Sequence, residues 1–251
     1  MLVEYSAATG MARITLNRPD KRNAINHEMM SVLREALQRA ADDSTVRVVL
    51  VRGAGKDFCA GLDLSEVLKS AEDADESVAA ARRLGDLYIA MRRHRKPIVA
   101  AVQGRALGGG AGIATACDLI IAAESAQFGY PEVKLGFIPA IVTTMLRRAV
   151  NERQALELAL TGEPIGAARA YAIGLINRVY PDADFDAAAE RYVAALAEKS
   201  ATAMSLSKIL LYQIDGMSFE ASIESGVQAN VQARMTADFK RGVERFLKKG
   251  H

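Results

Sequence analysis

The chain has 251 residues, 50% of them hydrophobic and 25% charged, with 19 glycines and 6 prolines, a balance that excludes a disordered or fibrous protein. Its 32 basic and 30 acidic residues leave a net charge of +2, so neither nucleic acid nor an anionic membrane is an expected partner. Cys59 and Cys117, the only cysteines, lie in apolar stretches and read as buried free thiols rather than as a disulfide framework or metal site. The start, Met1-Leu2-Val3-Glu4-Tyr5, lacks a secretory pattern, and a cytoplasmic location is expected. The most apolar region, from Ile98 to Cys117, carries Gln103, Arg105 and five glycines, a poor membrane span.

In chain order, Leu2–Ala7 and Ala12–Asn17 flank Thr9-Gly10 and predict a hairpin. A helix follows, capped by Asn26, with Met29, Met30, Leu33, Leu37, Ala40 and Ala41 at helical spacing up to Asp42-Asp43. Arg47–Arg52 reads as a buried strand ended by Gly53 and Gly55. From Ser65 to Arg95 the chain is helix-prone, but its acidic stretch Ala71–Glu76 is too polar for core and is either a cover over a site or a solvated loop. Pro97–Val102 is the next strand, then a small-residue helix after Gly108-Gly109-Gly110, then a strand at Asp118–Ala123. Beyond about residue 139 amphipathic helices are expected at Thr143–Val150, Glu152–Leu160, Gly166–Ile173, Asp186–Glu198, Ala201–Ile214, Phe219–Met235 and Asp238–Lys248, interrupted by a short strand at Leu175–Val179. Strands alternating with helices, then helices alone, predict an α/β protein with a helical C-terminal part.

Several chemistries drop out. Neither G-x-G-x-x-G nor G-x-x-x-x-G-K-[ST] threads through Gly104–Gly112, and no serine sits in G-x-S-x-G. His27, His94 and His251 are too scattered for a metal pair, and His94, beside Arg92, Arg93, Arg95 and Lys96, reads as a solvated helix-end residue. What remains is two glycine-bearing turns, Phe58–Leu64 and Gly104–Gly110, each after a strand and before a helix. The first amides of a helix lack intrahelical partners and lie at its positive end, so such turns suit an oxyanion or phosphate. The alternative is that their glycines serve packing, with Asp63 and Glu66 capping the short helix that follows.

Together with Leu16–Ala24, Ala60-Gly61-Leu62-Asp63, Pro97–Gly104, Ala116-Cys117-Asp118, Phe128–Glu132 and the later Thr161–Asn177 segment, these turns resemble the ordered signatures of the enoyl-CoA hydratase/isomerase (crotonase) family. The resemblance implies a crotonase-like spiral of ββα units. Residues 1–190 would form the core with an acyl-CoA site, and 191–251 a helical region that builds trimers or dimers of trimers. It also implies that the amides of Leu62 and Gly109 polarise a thioester carbonyl, and that Ala60, Gly61, Asp63 and Leu64 line the same turn. Arg22 and Ala24 match the segment that contacts adenine, while Lys248 and Lys249 match cations that a neighbouring subunit places near the nucleotide phosphate. Coenzyme A enters as part of the substrate; no separate cofactor and no metal are implied.

Glu132 matches one of the family's two acid/base glutamates. The other belongs two residues after the triple glycine, where this chain has Gly112, which cannot transfer a proton. A single carboxylate can still serve hydration or a Δ3–Δ2 double-bond shift. A non-catalytic CoA-binding scaffold is the reading from another class. Ile138-Pro139-Ala140-Ile141-Val142 replaces the glycines many relatives carry there, which implies a crowded acyl pocket around Ile141 and a short or branched acyl group.

Overall fold

A computed structural model describes residues 1–248; Lys249 and His251 lie outside the described residues. Strands β1 (Val3–Ala8) and β2 (Met11–Leu16) form the expected hairpin, turning at Thr9-Gly10. Helix α1 (His27–Asp42) starts on Asn26, whose side chain accepts from the Met29 amide, and buries Met29, Met30, Leu33 and Leu37 on one face. Strand β3 (Val48–Gly53) is followed by α2 (Leu64–Ser70) and α3 (Ala74–Arg93), then β4 (Ile98–Val102) and β5 (Arg105–Leu107). Helix α4 (Gly109–Ala116) leads to β6 (Leu119–Ala123) and β7 (Gln127–Gly129). Next come α5 (Ala140–Ala149), α6 (Glu152–Thr161), β8 (Ile165–Gly166), α7 (Ala167–Ala172) and β9 (Arg178–Tyr180). The chain ends in α8 (Phe185–Ala197), α9 (Ala201–Gln213), α10 (Phe219–Arg234) and α11 (Ala237–Lys248).

The main sheet has the order β1-β2-β3-β4-β6-β9, parallel beyond the first hairpin, with Ile14, Val51, Ala100 and Ile120 in register across it. Alternate residues face opposite sides, so each strand feeds two cores. Val49, Val51, Ile98, Ala100 and Val102 pack under α1, α3 and α4, while Val48, Leu50, Val99 and Ile121 meet Phe185, Ala189 and Val193 of α8. Burial on both faces is why these strands read as unbroken apolar runs. A smaller sheet, β5-β7-β8, carries Ala106, Phe128 and Ile165 into the core. Strands of two or three residues are too short to show a period, so the sequence marks them as turns or, at Gly166, as a helix start.

Three further expectations change. Helix α5 begins at Ala140 rather than Thr143. The strand expected at Leu175–Val179 starts only at Arg178, because the Leu175 amide is drawn back to the Ala170 carbonyl in the turn after α7. His94 is buried rather than solvated: its ring nitrogens contact the Lys96 and Leu37 carbonyls, and burial holds its pKa below the usual histidine value. The acidic stretch is ordered, with Asp73 capping α3 through the Asp75 and Glu76 amides.

The C-terminal helices differ from the rest. Lys208 of α9 reaches Asp118 at 2.8 Å, and the Tyr212 hydroxyl donates to the same carboxylate, tying α9 to the end of β6. Helices α10 and α11 bury no residue, and Phe219, Ile223, Val227, Val231, Phe239 and Val243 stand exposed along them.

Candidate active site

The first glycine turn is held edge to edge against the segment Arg22–Ile25. The Ala60 amide donates to the Arg22 carbonyl, Ile25 to Gly61, and Asp63 to Ile25. This parallel bridge uses the Gly61 carbonyl and the Asp63 N–H on either side of Leu62 and turns the Leu62 N–H the other way, where it has no acceptor among the described residues. Arg18 clamps the arrangement, donating to the Ala24 carbonyl at 2.7 Å and to the Asp63 carboxylate at 3.1 Å. Asp63 also caps α2 through Ser65; the Ser65 hydroxyl first, and Arg18 with it, holds its carboxyl below the ordinary carboxylate range. Glu66 does not complete a capping box; it accepts from the His27 amide instead. Cys59, inside the turn, is fully buried, and burial pushes its thiol up to about 12, which removes it as a nucleophile.

The second turn places Gly109 at the first position of α4, where an amide has no intrahelical partner, and none is supplied by another described group. Gly108 precedes it with φ +49°, and a Cβ there would lie 2.9 Å from Oε1 of Glu132, so only glycine admits both the turn and the carboxylate. The two turns meet: a Cβ on Gly109 would lie 3.6 Å from the Leu62 nitrogen, and one on Gly61 would lie 3.9 Å from the Gly109 nitrogen. Two orphan amides on adjacent turns are an arrangement chemically suited to one anionic oxygen.

Glu132 follows β7 on a short 3-10 turn, Pro131–Leu135. It is half-buried, its Oε2 has no hydrogen-bond partner among the described residues, and burial raises its pKa above the ordinary glutamate value. Leu62, Gly109 and Glu132 line one cavity of about 940 Å³, walled by α2 and α3 on one side and by Phe137–Val142 on the other. A carboxylate with a raised pKa beside an oxyanion site can move protons next to a polarised carbonyl.

The position of the absent second glutamate is filled by Tyr88 and Val142. A Cβ on Gly112 would lie 2.2 Å from the Tyr88 hydroxyl oxygen and 2.5 Å from a Val142 methyl. Of the other residues expected at the site, Ile141 lines the cavity. Arg22, Ala24, Ala60, Gly61 and Asp63 gather in the first turn and its backing segment. Leu64 is 58% exposed, and Lys248 is exposed at the end of α11. The sequence reading missed Met30, Arg83, Leu84 and Phe137, which also line the cavity; the acidic stretch, read as either a cover over a site or a solvated loop, contributes Glu72, Asp73 and Glu76 to the same wall. Met30 on α1 and Arg83 and Leu84 on α3 carry a helix signal and nothing that points to a ligand, and Phe137 lies in the segment before α5.

A family model described as enoyl-CoA hydratase/isomerase matches residues 6–251. A Thermus thermophilus protein named for enoyl-CoA hydratase activity is 39% identical over 240 residues, 95% of each chain. The 2,3-dehydroadipyl-CoA hydratase of Escherichia coli is 34% identical over 241 residues, 94% of this chain and 91% of its own. The crystal structure of an enoyl-CoA hydratase from Mycobacterium smegmatis matches with a TM-score of 0.95 at 30% identity, covering 99% of this chain and 97% of the other. With its paired turns, its six-stranded and three-stranded sheets and a match along almost its whole length, this chain belongs to the enoyl-CoA hydratase/isomerase family and has the crotonase fold.

Proposed function

We propose that the enzyme hydrates an enoyl-CoA thioester, with Leu62 and Gly109 as oxyanion donors and Glu132 as the acid/base group. The observation that carries this reading is the convergence of two partnerless amides and one half-buried carboxylate on a single cavity. Amides fixed where the enolate oxygen gains charge stabilise the transition state without reorganisation. Glu132 takes a proton from water as the hydroxyl oxygen adds to the β-carbon, then returns that proton to the α-carbon, so one carboxylate completes the addition. Hydration is preferred to the Δ3–Δ2 isomerisation, in which the same group carries the α-proton to the γ-carbon, because the Thermus thermophilus and Escherichia coli relatives are named as hydratases.

Arg22 and Ala24, held beside the oxyanion turn, are assigned to the adenine end, and Lys248 of a neighbouring copy to the nucleotide phosphate, where a lysine acts as a point charge. Helices α10 and α11, which bury nothing within one chain, would make the trimer or dimer of trimers, with residues 191–251 as the oligomerisation region. Ile141 and Val142 on the cavity wall favour a short or branched acyl group. No helix among the described residues is long and apolar enough to cross a membrane.

Incubation with crotonyl-CoA and with a 3-enoyl-CoA, followed by absorbance of the conjugated thioester, tests the reading. Loss of signal with the first is expected. Gain with the second alone would assign the isomerase, and no change with either despite CoA binding would leave a scaffold. Equal specificity constants for four-carbon and long-chain substrates would remove the short-acyl assignment.

A further inference from the structure

We propose that Tyr88 is a positioning residue of the oxyanion hole, holding the first turn of α4 from the core side while it occupies the space of the missing carboxylate. This rests on the oxyanion role of Gly109 given above. The Tyr88 hydroxyl donates to the Gly109 carbonyl at 2.9 Å, and the side chain is 2% exposed. In an α-helix that carbonyl already accepts from the amide four residues on, so the phenol engages its second lone pair. Both peptide units flanking the Gly109 Cα are thereby fixed: the Gly108 carbonyl accepts from the Gly112 amide at 2.9 Å, and the Gly109 carbonyl accepts from Tyr88. Gly109 has no side chain of its own to resist rotation, so these bonds set the direction of its N–H.

The same contact explains why residue 112 is glycine. The phenol oxygen stands 2.2 Å from where a Cβ would be, closer than any side chain tolerates. Tyr88 and Gly112 are therefore one unit: the glycine makes room for the phenol, and the phenol takes over support of the turn. Tyr88 is absent from the walls of the substrate cavity, so it acts through Gly109 rather than on the acyl group.

The test uses Tyr88→Phe in the full-length protein and a thioester with a push-pull chromophore, 4-dimethylaminocinnamoyl-CoA, whose absorbance moves to the red as its carbonyl is polarised. The red shift on binding should be smaller in the variant while the dissociation constant stays within about threefold. The kcat for crotonyl-CoA should fall about tenfold with KM little changed, less than the roughly 100- to 1,000-fold cost of losing an oxyanion donor outright. Replacing Tyr88 with 3-fluorotyrosine, a stronger donor of nearly the same shape, should enlarge the red shift, and this arm holds even where the phenylalanine variant fails to fold. A wild-type red shift in the folded phenylalanine variant, or in the fluorinated protein, would overturn the proposal. The spectral readout needs no turnover, so failure of the hydratase assignment would leave the red shift altered in the variants but no crotonyl-CoA consumed, whereas failure of the Tyr88 role would leave crotonyl-CoA consumed and the red shift of the variants unchanged from wild type.

Discussion

The two turns that supply the partnerless amides are built from similar sequence and anchored by different physics. The Leu62 turn is pinned by polar contacts: backbone bonds to Arg22–Ile25 and the Arg18–Asp63 pair, whose side chains remain 15% and 18% exposed. The Gly109 turn has backbone bonds of its own, from Leu107 to Cys59 and from Gly108 to Gly129, but no ion pair; it is pinned by volume, glycines pressed against Glu132, Leu62, Tyr88 and Val142, with the Tyr88 phenol donating to the Gly109 carbonyl. The first turn should therefore respond to the loss of charge and the second to the addition of atoms. Against the second turn sits Glu132, carrying a buried oxygen with no partner among the described residues, a state that costs stability and is typical of a group kept for chemistry.

The largest effect should come from the group both turns serve. Glu132→Gln is expected to lower kcat by about 100- to 10,000-fold while leaving thioester binding in place. Because burial disfavours its ionised form, the same change should raise rather than lower the melting temperature at neutral pH. Full activity in this variant would remove Glu132 as the acid/base group.

Next in size is overpacking of the second turn. Gly112→Ala should destabilise the protein by about 1–3 kcal/mol, and Gly112→Glu should do so without any gain in hydration, since Tyr88 and Val142 occupy the required space. Combining Gly112→Ala with Tyr88→Ala should recover part of the loss in a denaturation cycle. Strict additivity of the two would break the account of a shared space.

The first turn gives a smaller and different response. Arg18→Met removes hydrogen bonds to the Ala24 carbonyl and the Asp63 carboxylate, worth about 1.5–3 kcal/mol for bonds involving a charged group. Its signature should be a raised KM, from loosening of the Arg22–Ala24 segment, with kcat less affected. If kcat fell and KM held, the anchoring of the two turns would not differ as described.

The smallest expected effect is on pH dependence, and it separates the site from its support. Glu132, with its pKa raised by burial, must be ionised to act as a base, so activity should be lost as pH falls through a value above the ordinary glutamate range. Asp63 has its pKa lowered, chiefly by Ser65 and then by Arg18, so the stability it contributes is complete above its unfolded value and lost only as pH falls through the lower folded one. Rate profiles should thus show an acid limb at pH values where the fold, followed by circular dichroism, is unchanged. Coincident loss of rate and fold would contradict this ordering.

How much of this was legible in the sequence follows from the range of each signal. The buried strands at Val48–Gly53 and Ile98–Val102 were readable because both faces are covered and the apolar runs are unbroken. The Asn26 cap was readable because capping is local. His94 was misread because only one of its ring contacts, to Lys96, is local; the other, to the Leu37 carbonyl, is supplied by α1 from far along the chain. The short strands β5, β7 and β8 exist only through their mutual pairing.

The sequence by itself determined the parts of the site that are backbone and composition: two glycine turns in order, Glu132 at the end of the Phe128–Glu132 motif, and a glycine where a second carboxylate would stand. Tertiary structure alone decided what fills that vacancy. Leu84, Leu87, Tyr88 and Met91 repeat at helical spacing on α3 and say only that one face is buried. That one of them carries a hydroxyl to the Gly109 carbonyl depends on how α3 crosses α4, a packing relation set by side-chain volumes from both helices rather than by any local pattern.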